Sequence, residues 1–248
     1  MRIDVVFGGA ALAPSDVTGR VVAVIDVLRA SSSIAAALAN GARAVIPLES
    51  PDDVVTRAKA LERSDVLLAG ERKMLTIQGF DLGNSPLEFN RNVVEGKTVL
   101  MTTTNGTPAI MNAQGARDVV IASYVNYTAV LTMLRTALRG GSDVTLVCAG
   151  RERQFALEDA GCAGRYVYSL SKRLTGVELN DAAQCCALID RKYGEQVVRL
   201  FEASEHGRAL RDAGFGADLI ACATPDAYPV IPLYQDRQIT RLGPDRER

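Results

Sequence analysis

The sequence predicts an α/β fold of three layers: a mostly parallel or mixed sheet with helices on both faces, and an active site at the carboxyl ends of the strands. Three observations predict it. Short β-branched runs alternate along the chain with longer runs of helical periodicity. Two of the short runs, VVAVIDVL (21–28) and DVTLVCAG (143–150), are almost wholly apolar, as strands buried on both faces must be. The dense polar clusters fall just after such runs, where open α/β sheets gather loops and helix N-termini around ligands.

The N-terminal MRIDVVFGGA alternates like a strand, and 21–28 is the first fully buried one. After it, residues 31–39 place Ile34, Ala35 and Leu38 on one helical face, and Asn40-Gly41 is the stop signal. A strand at 44–48, a helix opened by Ser50-Pro51 and reaching about residue 62, and a strand at 66–69 follow. KTVLMTTTNG (97–106) reads as a strand ending in a polar turn; a helix at about 108–114, a strand at 119–122 and a helix at 126–138 come next. In that last helix Val130, Leu131, Leu134 and Leu138 form an apolar stripe. After 143–150, Ala156, Ala160, Ala163, Val167 and Leu170 recur at helical spacing. Residues 180–223 read as mainly helical, with Val197, Val198 and Phe201 facing inward. YPVIPLYQDRQITRL (228–242) alternates and carries prolines, which predicts an edge strand or a hairpin. No linker, low-complexity tract or repeat interrupts the 248 residues, so the chain reads as one α/β domain over 1–248. A two-lobed variant with a helical second half from about residue 155 stays open.

Composition narrows the function. The chain is 48% hydrophobic and 23% charged, with a formal net charge of −1, so it lacks the basic field that nucleic-acid or membrane-surface binding needs. The five cysteines are odd in number and show no CxxC spacing, the pattern of reduced thiols. The N-terminus has no signal-peptide pattern, and no apolar run approaches the roughly 18 residues of a membrane span. A soluble, cytoplasmic protein is expected, with a homo-oligomer left open.

Four polar clusters fall at predicted strand ends. They are Asp26, Arg29 and Ser31-Ser32-Ser33; Glu71, Arg72 and the stretch through Asp81, Asn84 and Ser85; Thr102-Thr103-Thr104-Asn105-Gly106; and Cys148-Ala149-Gly150 with Glu158 and Asp159. Each alone reads as a cap, a turn or a solvated first helical turn. Together they describe a site for a small anionic substrate. Ser31, Ser32, Thr104, Asn105 and the Gly106 amide offer donors to phosphate oxygens, and Arg29 and Arg72 offer planar forks. Carboxylates beside an anion make electrostatic sense when a cation intervenes, and Mg²⁺ fits because it takes one or two carboxylates and keeps waters and substrate oxygens. Asp26, Glu71, Asp81, Glu158 and Asp159 are the metal or acid/base candidates. The chain has no GxxxxGK[ST], GxGxxG or HExxH motif. Its only histidine, His206, reads as a helix-end or surface residue.

Taken together, VIDVLRASSS, AGERKMLTIQGFDLGNSP, MTTTNGT and CAGRERQFALEDAGCAG resemble the 2-phosphosulfolactate phosphatase family, in order over about residues 21–164. DAAQ, HGRAL and DLIACATPDAYPVIP look similar too. The resemblance implies a Mg²⁺-dependent phosphatase that hydrolyses (2R)-2-phospho-3-sulfolactate to 3-sulfolactate and phosphate, a step towards coenzyme M in methanogens and sulfolactate in some bacteria. Two departures stand out: Ser31-Ser32-Ser33 where the family is usually threonine-rich, and Lys73-Met74-Leu75 after Gly-Glu-Arg, which adds a positive charge. On this reading Asp26, with Glu158 or Asp159 and Glu71, holds the metal; Asp26, Arg29, Glu71 and Arg72 do the chemistry; Asp81 orients its loop, with Asn84 and Ser85 at the substrate-facing edge. Two rivals remain. Asp26, Lys73 and Cys148 follow the order of isochorismatase-like cysteine hydrolases. A non-catalytic binder of a phosphorylated organic acid would need the arginines but not the surplus carboxylates.

Overall fold

A computed structural model describes residues 1–9, 12–152, 154–172 and 174–243. Its strands are β1 (Arg2–Phe7), β2 (Val21–Ile25), β3 (Ala44–Pro47), β4 (Val66–Arg72), β5 (Leu75–Thr76), β6 (Thr98–Thr102), β7 (Asp118–Ala122), β8 (Val144–Cys148), β9 (Glu178–Leu179), β10 (Pro232–Gln235) and β11 (Gln238–Arg241). The described residues join them into one mixed sheet, in the order β5-β4-β6-β3-β11-β10-β7-β2-β8-β1-β9. The helices are α1 (Pro14–Val17), α2 (Ala30–Ala39), α3 (Pro51–Ala58), α4 (Arg91–Val94), α5 (Gly106–Asn112), α6 (Tyr127–Arg139), α7 (Leu157–Ser171), α8 (Asp181–Tyr193), α9 (Val197–Ala203), α10 (Glu205–Leu210) and α11 (Gly216–Ala223).

The three layers follow from period two in the strands. All five residues of β2 are buried. Val21, Ala23 and Ile25 pack with Leu134 and Leu138 of α6 and with Ala163, Tyr166 and Val167 of α7. Val22 and Val24 pack on the opposite face with Ile34 and Ala35 of α2 and Ile110 of α5. An amphipathic strand could not serve both faces; a fully apolar one can.

The sheet consists of two parallel blocks. β4, β6 and β3 form one, and β7, β2, β8, β1 and β9 the other. Here the expectation of an edge strand at 228–242 is corrected. The hairpin β10–β11 lies in the middle of the sheet, with β10 antiparallel to β7 and β11 antiparallel to β3. Each parallel block would otherwise end in an open edge, and the hairpin closes both. Pro232 is accommodated because it is the first residue of β10.

Two further boundaries differ from expectation. α3 stops at Ala58 rather than near residue 62, because Lys59, Leu61 and Glu62 are exposed and give the helix nothing to bury. β4 runs on to Arg72 and doubles back into β5 through the two residues Lys73 and Met74, both at positive φ.

Candidate active site

The apolar run of β2 ends at Ile25, and Asp26 is the first residue beyond the sheet. Its N–H donates to the Ser31 hydroxyl at 2.9 Å, which ties the loop to the start of α2. Asp26 is almost fully buried, and burial is the main cause that pushes its carboxyl up to about 7. His206 opposes the rise, whereas Glu71 and Glu158 add to it. Gly106 is required beside it: a Cβ there would lie 2.6 Å from Asp26 Oδ2 and 2.5 Å from the Ala30 Cβ.

Asp26 lines a cavity of about 530 Å³ at the carboxyl ends of β2, β4, β6 and β8. Arg29, Glu71, Arg72, Asn84, Thr104 and Asn105, all expected from the sequence, line it as well. So do Lys73, Met74, Arg151, Glu152 and His206. Glu71 holds two loops: Oε1 accepts from the Thr104 N–H at 2.9 Å and Oε2 from the Met74 N–H at 3.0 Å. Arg72 donates to the Glu71 carbonyl and to Thr102 Oγ1, both neutral acceptors. Asn105 Oδ1 accepts from the Glu152 N–H at 2.9 Å.

Arg29 has a different task from the anion clamp the sequence implied. Its guanidinium is ion-paired with buried Asp218 at 2.7 Å, donates to the Met74 carbonyl at 2.7 Å and lies 4.3 Å over the Phe215 ring. Ser85 donates to the other Asp218 oxygen at 2.5 Å. Asp218 thus joins α11 to the start of α2, to the β4–β5 turn and to the loop before Pro86.

Other expected residues lie behind the cavity wall. Ser32 spends its hydroxyl on the Val27 carbonyl and Ser123, and Ser31 bonds Asp26. Asp159 accepts from the Val27 N–H at 2.9 Å and the Gly150 N–H at 3.0 Å, bracing the loops after β2 and β8. Asp81 pairs with Arg63 and accepts from the Leu68 N–H, away from the cavity. Glu158 sits behind His206, whose Nδ1 lies 3.1 Å from Glu158 Oε1.

Among the described residues two buried acceptors have no hydrogen-bond partner: Glu158 Oε2 and Asn84 Oδ1. Buried polar groups are normally satisfied, so an orphan at a cavity marks where water, an ion or a ligand group belongs. Among the described residues no three His, Cys, Asp or Glu side chains form a ready-made metal cage. A Mg²⁺ ion can be held by one or two carboxylates, and Asp26 and the orphaned Glu158 oxygen are the residues that could hold one.

Sequence reasoning missed His206, Arg151 and Asp218. The signals were present but weak: Arg151 lies three residues beyond the end of β8 at Cys148, and Asp218 interrupts the otherwise apolar ADLIACA. Among the described residues no cysteine lines the cavity, which leaves the cysteine-hydrolase rival without a nucleophile there. Cys148 is fully buried, and contact with Cys186, burial and nearby Asp159 hold its thiol well above its usual range.

A larger cleft of about 1530 Å³ opens at the other end of the sheet, near Arg117, Thr128 and Asp226. Several of its polar groups are engaged within the protein: Arg117 pairs with Asp118, Asp226 caps Thr128, and Thr132 bonds back to the Thr128 carbonyl. Residues that the sequence singled out line the smaller cavity instead.

Buried carboxylates and cations around one cavity at the carboxyl ends of a mixed α/β sheet are the equipment of an enzyme, and its relatives make it a phosphoric monoester hydrolase. The 2-phosphosulpholactate phosphatase family matches residues 10–237. A protein of Symbiobacterium thermophilum named probable 2-phosphosulfolactate phosphatase is 40% identical over 227 residues, 92% of this chain and 96% of the relative. One of Caldicellulosiruptor saccharolyticus with the same name is 39% identical over 223 residues, 88% of this chain and 90% of the relative. Another, of Clostridium botulinum, is 33% identical over 242 residues, 98% of this chain and all of the relative. The chain belongs to the 2-phosphosulfolactate phosphatase family.

Proposed function

We propose that this enzyme hydrolyses (2R)-2-phospho-3-sulfolactate to 3-sulfolactate and inorganic phosphate, consuming one water, with Mg²⁺ as cofactor. The observation that carries the reading is the cavity itself. Asp26, Glu71, Arg72, Lys73, Arg151 and His206 line it together, Glu158 holds His206, and a buried Glu158 oxygen has no hydrogen-bond partner among the described residues. Such a pocket suits a small molecule that carries several negative charges and is accompanied by a cation.

Asp26 and Glu158 would hold the metal, whose charge offsets that of the phosphate during displacement. Arg72, which has no carboxylate partner among the described residues, binds phosphate oxygens. Glu71 orients the walls by fixing the Thr104 and Met74 amides. Glu158 holds His206 through Nδ1, leaving Nε2 as the ring nitrogen that can pass a proton to the departing alkoxide. Asn84 Oδ1 accepts from a water or a substrate hydrogen-bond donor. Cytoplasmic operation fits an intracellular metabolite of this kind. Among the described residues no helix is long and apolar enough to cross a membrane.

The test is phosphate release from racemic phosphosulfolactate, with and without EDTA, against phosphoglycolate. Release that favours the sulfonated ester and disappears with EDTA is expected. Tight binding without release would favour a non-catalytic binder, and full activity in EDTA would remove the metal from the account.

A further inference from the structure

The turn between β4 and β5 is built in a costly way. Glu71 pairs with Thr76 and Arg72 with Leu75, so Lys73 and Met74 form the whole loop, at φ of 52° and 71°. A two-residue turn with both central residues left-handed ordinarily takes Asn-Gly or Asp-Gly, and neither lysine nor methionine adopts it freely. The turn is nevertheless held firmly. Glu71 Oε2 accepts from the Met74 N–H, and Arg29, itself locked by Asp218 and Phe215, donates to the Met74 carbonyl. Strain retained by so many contacts at a cavity rim calls for a functional reason.

The charges around the cavity supply one. Arg29 is neutralised by Asp218, and Arg151 is paired with Glu205 at 2.8 Å. Arg72 and Lys73 are the cavity-lining cations with no carboxylate partner among the described residues. Adjacent in sequence, one as the last residue of β4 and the other as the first of the turn, they can hold two different anionic groups of one small molecule. A guanidinium is a planar fork suited to bidentate recognition, whereas an ammonium is a compact point charge that suits the three tetrahedral oxygens of a sulfonate.

We propose that Lys73, presented at the cavity mouth by the pinned left-handed turn, is the specificity-determining residue that binds the sulfonate of the substrate. The inference rests on the phosphosulfolactate reading and adds the residue that tells a sulfonated ester from its plain analogue. The experiment compares kcat/KM for 2-phospho-3-sulfolactate with that for 2-phospholactate, in which a methyl replaces the sulfonatomethyl group. It is run on the wild type, Lys73→Gly and Lys73→Arg. Glycine keeps the turn, since it accepts positive φ at no steric cost, and removes the ammonium together with its aliphatic stem; Lys73→Arg restores a charged side chain. The ratio is expected to fall about fivefold or more in Lys73→Gly, mainly through KM for the sulfonated ester, and to recover in Lys73→Arg. A ratio that stays at the wild-type value in Lys73→Gly overturns the assignment, whether or not both activities drop together. A wild type that hydrolyses phospholactate as well as phosphosulfolactate also overturns it, while leaving a phosphatase in place; release from neither ester removes the underlying reading as well.

Discussion

At the scale of single residues, Asp26 shows how function is set against stability. Its carboxyl titrates near 7 in the folded protein, against an ordinary value of 3.8 for an exposed aspartate. Between those values the unfolded chain binds fewer protons than the folded one, so this residue's contribution to stability is lost as pH rises from about 4 to 7. Above pH 7 the penalty is constant and on the order of a few kcal/mol. Asp26→Asn, which never ionises, is therefore expected to be more stable than the wild type in EDTA at pH 7.5, with the advantage shrinking to nothing near pH 4. Urea melts at the two pH values measure this; a variant less stable than the wild type at pH 7.5 would contradict it. Gly106 makes the same point sterically, because its missing side chain is what lets α5 begin against that carboxylate. The identity of these residues was legible in the sequence, since Asp26 directly follows an apolar strand and Gly106 closes a hydroxyl-rich turn. The roles were less so. Ser31, Ser32 and Asp159 carry the right chemistry for a ligand, but their hydrogen bonds go to the loops, and that choice depends on contacts between segments distant in sequence.

Individual elements act here through ties between segments that composition cannot show. α11 anchors the site from behind: Asp218 holds both Arg29 and Ser85, and all three are buried. Truncating Asp218 leaves the Arg29 guanidinium buried without its counter-charge. Asp218→Ala is expected to cost about 3–5 kcal/mol and to release the β4–β5 turn that Arg29 holds. Chemical denaturation and amide exchange at Met74 report the two effects. A loss below about 1 kcal/mol, the range of an exposed pair, would show that Asp218 is not the anchor. The β4–β5 hairpin itself was invisible to periodicity, because β5 has only two residues and its turn lacks the glycine that announces such turns. Helices α6 and α7, by contrast, were plain from their apolar stripes, which the core fills as their spacing required.

For the whole molecule, the late hairpin β10–β11 joins two parallel half-sheets. Alternation and prolines marked it as an edge strand or a hairpin, but its central position depends on the two blocks leaving facing edges, a property of the topology rather than of residues 228–242. Ile239, fully buried and paired with Val45, lies at that join. Ile239→Ala is expected to destabilise the protein by about 2–5 kcal/mol in urea, as a core truncation does, whereas an edge-strand residue would cost far less. The same assembly brings Asp26 of one block to Glu71 and Thr104 of the other, so the cavity exists only when both halves are joined. The central claim is that this cavity, organised by Asp26, releases phosphate from phosphosulfolactate. The measurement that tests it most directly is phosphate release by the wild type and by Asp26→Asn at saturating Mg²⁺, on protein shown to be folded. The account predicts turnover by the wild type and a loss of about 10³-fold or more in the variant. Wild-type turnover in Asp26→Asn would contradict it.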